Sequence, residues 1–229
     1  MKDLPDAVFM VIKYADENMI ELPLDLRIRA YMAGAIKAAG DLAAINAKYH
    51  DAITQSLINY FENARGKKNQ KAFKNAMIDA FTSAFGLGWA DGGQPLPFSA
   101  EAVEWLSAKV AEEVVHIDGL FVNAKELRKE KDFDYFAWIT ERADGYTQTL
   151  QAIYNAGRMF ALKNKMLAWS LGATEKHCKT CAKLDGQRHR AVWYVSRNYI
   201  PRMPGASMEC GGYKCDCHLS DDEGNEITI

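Results

Sequence analysis

Apolar residues recur every three or four positions over most of this chain, the spacing that places them along one side of an α-helix. From Leu24 to Ala64 the repeat is carried by Ile28, Met32, Ile36, Leu42, Ile45 and Ile53, with Gly34 and Gly40 interrupting it. The basic run Arg65 to Lys71 breaks the pattern and predicts a turn. A second amphipathic stretch, Ala72 to Phe85, sets Phe73, Met77, Ile78, Phe81 and Phe85 on one side. Gly86, Gly88, Gly92, Gly93, Pro95 and Pro97 then predict a loop. Ser99 is placed to cap the next helix, with Glu101 in its first turn to complement the helix dipole. That helix carries Val103, Leu106, Val110, Val114 and Ile117. The charged stretch Lys125 to Asp134 separates it from a last long pattern reaching Trp169. Phe136, Ile139, Tyr146, Leu150, Ile153, Phe160 and Met166 can line one side of that pattern, and Leu171-Gly172 reads as its stop.

Beyond Gly172 helical periodicity fades and Gly and Pro become frequent. Val192 to Val195 predicts a short helix or small strands. This region has too little apolar mass for a core of its own, and domains of that size need a staple. The expected fold is therefore mainly α: a long-helix bundle over 1–171, followed by a small zinc-stapled α+β module with little regular structure over 172–229.

The cysteines explain the staple. All five lie after residue 177, as Cys178-x2-Cys181, a long loop, then Cys210-x4-Cys215-x-Cys217. Local thiolate pairs separated by a long loop are what a tetrahedral zinc ion needs. Gly211 and Gly212 let the backbone bend sharply between Cys210 and Cys215. One zinc takes four ligands and five thiols are present, so one thiol is left over. Cys178 and Cys181 are the first choice, then Cys215, with Cys210 and Cys217 competing for the remaining place. His177 and His218 flank the cluster as alternative ligands or as hydrogen-bond partners of the ligands.

Catalytic zinc keeps an open position and has an acid or base beside it. Here thiolates exceed what a closed site requires, and no His-x-Glu, His-Glu-x-x-His, Gly-x-Ser-x-Gly or phosphate-binding loop occurs. Glu112, Glu113 and His116 read as a solvated helix face. The expectation is a structural zinc and no enzymatic activity.

Charge adds a second feature. The net charge is -2, but residues 156–203 hold ten Lys or Arg against Glu175 and Asp185, a net of +8. Residues 204–229 carry six carboxylates against Lys214, a net of -5. A basic belt can meet phosphate, with Lys176, Lys179, Lys183, Arg188 and Arg190 as candidate nucleic-acid contacts. The first residues lack the basic-then-apolar order of a secretory signal, and no run approaches the roughly 18 apolar residues of a membrane span. An odd cysteine count without such a signal points to a reducing compartment and metal-bound thiolates.

The segment from Trp169 to Leu219 resembles the C-terminal module of the tailed-phage minor head proteins, the head-morphogenesis family typified by those of phages Mu and SPP1. Cys178, Cys181, Leu184, Gly186, Pro201, Cys215 and Cys217 fall on the family's pattern, and Cys210 takes its His-or-Cys place. Thr140-Glu141 and Asn155-Ala-Gly-Arg158 match, more loosely, the Thr-Glu and Asn-x-x-Arg of the preceding helix. The resemblance implies a low-copy virion component, made in the host cytoplasm and then held in the head or neck. Its implied partners are portal or capsid proteins in a multi-subunit assembly, together with packaged DNA, and no membrane. A DNA-binding zinc module using the belt from Arg158 to Arg202 is the alternative.

Overall fold

The structure, a computed structural model, describes residues 41–63, 66–173, 176–203, 205–212 and 216–228. Residues 24–40 of the first expected helix lie outside these. Among the described residues are six helices and three strands. In chain order they are α1 (Leu42–Asn63), α2 (Gly66–Asp91), α3 (Ala100–Leu127), α4 (Tyr135–Leu162), β1 (Met166–Ser170), α5 (Lys179–Leu184), β2 (Arg188–Arg190), α6 (Ala191–Ser196) and β3 (His218–Ser220). The chain is mainly helical with a small sheet, as its periodicity predicts. No described helix is long and apolar enough to cross a membrane.

The residues cluster into two compact units. The described part of the first is 41–83 with 99–147; the second is 84–98 with 148–228. The second thus takes in the expected C-terminal module, the end of α2 and the second half of α4.

In the first unit α1 buries Ile45, Tyr49, Ile53, Leu57, Tyr60 and Phe61, a stripe three or four residues apart. Phe121 of α3 meets Tyr60 edge-on at 5.1 Å and Phe73 of α2 at 6.0 Å. Phe61 stacks on Tyr135 at 5.2 Å and meets the edge of Trp138 at 5.7 Å. Each such pair adds about 0.5–1.5 kcal/mol beyond its area burial. Ser99 caps α3 as expected, its Oγ accepting from the Ala102 N–H at 3.3 Å.

Three local expectations are corrected. The basic run expected as a turn forms, from Gly66 to Lys71, the first turns of α2. Lys and Gln are good helix formers, and the lysine charges do not prevent the helix from starting here. Gly86 and Gly88 sit inside α2, not in a loop; the break comes only at Gly92 and Gly93. A Cβ on Gly88 would lie 2.0 Å from the Tyr154 carbonyl oxygen, and one on Gly157 would lie 2.1 Å from that of Phe85. These glycines let the end of α2 lie backbone to backbone on α4. The third correction is the end of α4: it stops at Leu162, and Met166 to Ser170 form a strand. Trp169 is therefore on a strand, and Leu171-Gly172 follows that strand and ends no helix. Phe136 and Met166, expected on the core side, are 54% and 39% exposed.

The sheet has the order β2-β1-β3, antiparallel throughout. Leu167 and Trp169 of the central strand face inward and are buried, and Leu219 opposite Trp169 is buried with them. Tyr194 of α6 fills the space beside Trp169, ring centroids 6.0 Å apart, and its hydroxyl donates to the carbonyls of Leu167 and Gln187. With Leu184, Val195, Ile200, Met203 and Met208 also buried, this region carries more core than its composition suggested.

Candidate metal centre

Two chain segments build the site. The first leaves β1 and runs to Cys178, which caps α5: its Sγ accepts from the Cys181 N–H at 3.4 Å. A C-x2-C turn on a helix start brings the sulfurs together, and the Cys178 and Cys181 Sγ atoms are 3.3 Å apart. The second is the loop after α6, which returns with Met208, Glu209 and Cys210. Glu209 joins the two: its carboxylate accepts from the Lys179 N–H at 2.8 Å, at the first turn of α5. Gly211 and Gly212 then take positive φ of 60° and 78°, the sharp bend expected of them. A Cβ on Gly212 would strike the Met203 carbonyl oxygen, so the bend is packed against its own loop.

The outcome is a group in which the Sγ atoms of Cys178, Cys181 and Cys210 all lie within 4.8 Å of one another. Cys181 is buried and the other two are half-buried. Met208, also buried, brings its thioether to 3.8 Å from the Cys181 thiol. With metal–sulfur bonds of about 2.3 Å, neighbouring sulfurs of a tetrahedron stand about 3.8 Å apart. The three thiols fit that requirement after small movements.

Electrostatics favour the ligand form. Burial alone pushes the Cys178 thiol up, but the N–H groups and thiols of Cys181 and Cys210 outweigh it and bring Cys178 down to about 7. Its thiolate, the form that binds metal, is then populated at neutral pH.

The other sequence candidates are placed as follows. Cys215 lies outside the described residues. Cys217 is buried just before β3, its Sγ 3.9 Å from His177 Nδ1. Gly172 makes room for that segment, since a Cβ there would lie 2.0 Å from the Asp216 carbonyl oxygen. His218 Nε2 is 3.5 Å from Glu226 Oε1. Lys176, Lys179, Lys183, Arg188 and Arg190 are all exposed, and Arg188 is ion-paired with Asp222. Sequence reasoning missed Glu209 and Met208. Their only signal was adjacency to Cys210, which says nothing of a contact with residues about thirty positions earlier.

Fold and site together define a mainly helical protein with a C-terminal three-stranded sheet and a cysteine group that can hold a metal ion. No protein-family model, no curated protein and no solved structure matches the chain.

Proposed function

We propose that this chain is a structural, non-catalytic component of a tailed-phage or prophage virion. It would be a minor head protein acting near the portal or inner head in capsid morphogenesis or DNA delivery, with its C-terminal segment closed by zinc. The observation that carries the metal part is the meeting of Cys178 and Cys181 with Cys210 from a distant loop. Thiolates select zinc among the common hard and borderline cations, and a fully thiolate shell leaves no position for water or substrate. The zinc would neutralise the gathered thiolates and tie the loop after α6 to α5. Cys215 and Cys217 are the sequence candidates for completing the shell. The phage assignment is supported by the residues of the Trp169–Leu219 segment that match the minor head pattern.

Two measurements test this. Metal analysis of the full chain should find about one zinc per chain. Cys178→Ser/Cys181→Ser should abolish it, and an unchanged metal content would remove the site. For the assembly role, mass spectrometry of purified virions should find the chain at low copy. Its absence from virions whose heads fill normally without it would end that reading.

A second reading, contact with DNA through the basic belt, is favoured by one placement. Arg188 and Arg190 stand two apart on an edge strand, exposed, and Lys176, Lys179 and Lys183 are exposed nearby in sequence.

A further inference from the structure

The pairing register assigns the sheet a solvent face. Met166, Ala168 and Ser170 alternate with the buried Leu167 and Trp169, so they point away from the core. Arg190 stands opposite Met166, Arg188 opposite Ala168, and Ser220 opposite Ala168 on the other side. Directly paired residues share a face, so both arginines and Ser220 lie on this outer surface. His189, between them, turns inward and stacks on Trp193 at 3.6 Å. The outer face thus carries Arg188, Arg190 and His218, opposite Ser170, beside Ala168, Ser170 and Ser220, with Met166 its single large apolar group among the described residues of the three strands.

One carboxylate of the chain's own acidic segment lies on this face. Asp222, two residues past Ser220, pairs with Arg188. Arg188 is on one edge strand and Asp222 follows the other, strands about 10 Å apart, so the pair reaches across the width of the sheet. Asp221 Oδ2 accepts from Lys165 Nζ at 3.0 Å. Its Oδ1 accepts from the N–H groups of Glu223 and Asn225, which fixes the carboxylate in a tight turn. Asp216 pairs with Arg202 at 3.0 Å. Three cations of the +8 belt are therefore matched by carboxylates of the -5 segment, and of these Arg188 is the one on the outer face.

We infer that the outer face of this sheet is a surface for the phosphodiester backbone of duplex DNA, and that Asp222, seated on Arg188, is its built-in cover. The inference rests on the DNA reading above and adds its regulation. Carboxylates occupy the places phosphate oxygens would take, because a guanidinium fork accepts either anion in the same geometry. DNA is favoured over a folded protein because the face lacks the cluster of aromatic or aliphatic anchors that protein interfaces are built around. The cover makes binding weak until a high local phosphate concentration, as inside a packed head, displaces it.

The test is fluorescence anisotropy of the full chain with a labelled DNA duplex, titrated at several salt concentrations. Asp222→Asn keeps the side-chain shape and leaves the Asp221 acceptors that hold the 221–225 turn in place. It should tighten binding several-fold, and steepen the log–log salt slope by about 0.9, for one added phosphate contact. Adding Arg188→Glu/Arg190→Glu should remove the gain. Equal affinity and slope for parent and variants would overturn the cover while leaving the DNA reading in place. No binding by any of them at low salt would overturn both. Displacement by polyglutamate as effective as by unlabelled DNA would overturn the phosphate assignment in favour of an acidic protein partner.

Discussion

At the residue scale, glycine separates what spacing reveals from what it hides. Gly145 and Gly157 lie in the same helix, and nothing in the sequence distinguishes them. A Cβ on Gly145 meets nothing within 4 Å, whereas one on Gly157 meets the Phe85 backbone at 2.1 Å. Gly157→Ala must push two helix backbones apart, at a cost of about 1–3 kcal/mol that exceeds its propensity gain of up to about 1 kcal/mol. Gly145→Ala keeps that gain. Thermal denaturation should therefore move down for Gly157→Ala and up for Gly145→Ala; the same direction for both would refute the backbone contact. The cysteines were legible for the opposite reason. Metal-binding spacing is written in local turns, and the Cys178–Cys181 pair needs only its own four residues. Cys210 was ranked below Cys215 because the sequence does not show Glu209 holding its loop against α5.

Among the elements, helices were readable and the central strand was not. Met166-Leu-Ala-Trp-Ser170 contains good helix formers and continues the apolar repeat of α4. It is a strand because β2 and β3 pair with it on both sides, and both partners lie far along the chain. Tertiary pairing overrides a propensity difference of a few tenths of a kcal/mol per residue. The start of α3 shows the reverse case, where a local signal was sufficient. Ser99 holds β-region backbone angles, and its hydroxyl satisfies an N–H that the helix leaves unpaired. Ser99→Ala should lower stability by about 1 kcal/mol, and Ser99→Asp should retain most of the cap. Chemical denaturation distinguishes them; equal stability of Ser99→Ala and the parent would mean the cap carries no weight.

For the whole molecule, the question is how much of it would depend on a metal held by the cysteine group. The C-terminal segment was expected to lack a core, yet Trp169, Tyr194, Leu167 and Leu219 are buried almost completely around the sheet. What the sulfur group adds is narrower. A metal held there would tie the stretch from Asn198 to Cys217, which has no regular helix or strand among its described residues, to α5. That stretch is held mostly by turns, such as Ser207 N–H to Asn198 carbonyl at 3.0 Å and Gly205 N–H to Gly211 carbonyl at 3.0 Å. Closing a loop this long by a metal restricts the unfolded ensemble most where local structure is weakest. Removing metal with a chelator should therefore open 198–217 first. New protease cuts should appear within it, while far-UV circular dichroism keeps most of its helical signal, because α1 to α4 contain no cysteine. Mapping the first cuts by mass spectrometry decides the matter. Cuts that start in α3 or α4, or a helical signal that collapses with the metal, would show a stability shared across the whole chain. Unchanged protease resistance after complete metal removal would show that the apolar core around Trp169 holds the segment without help.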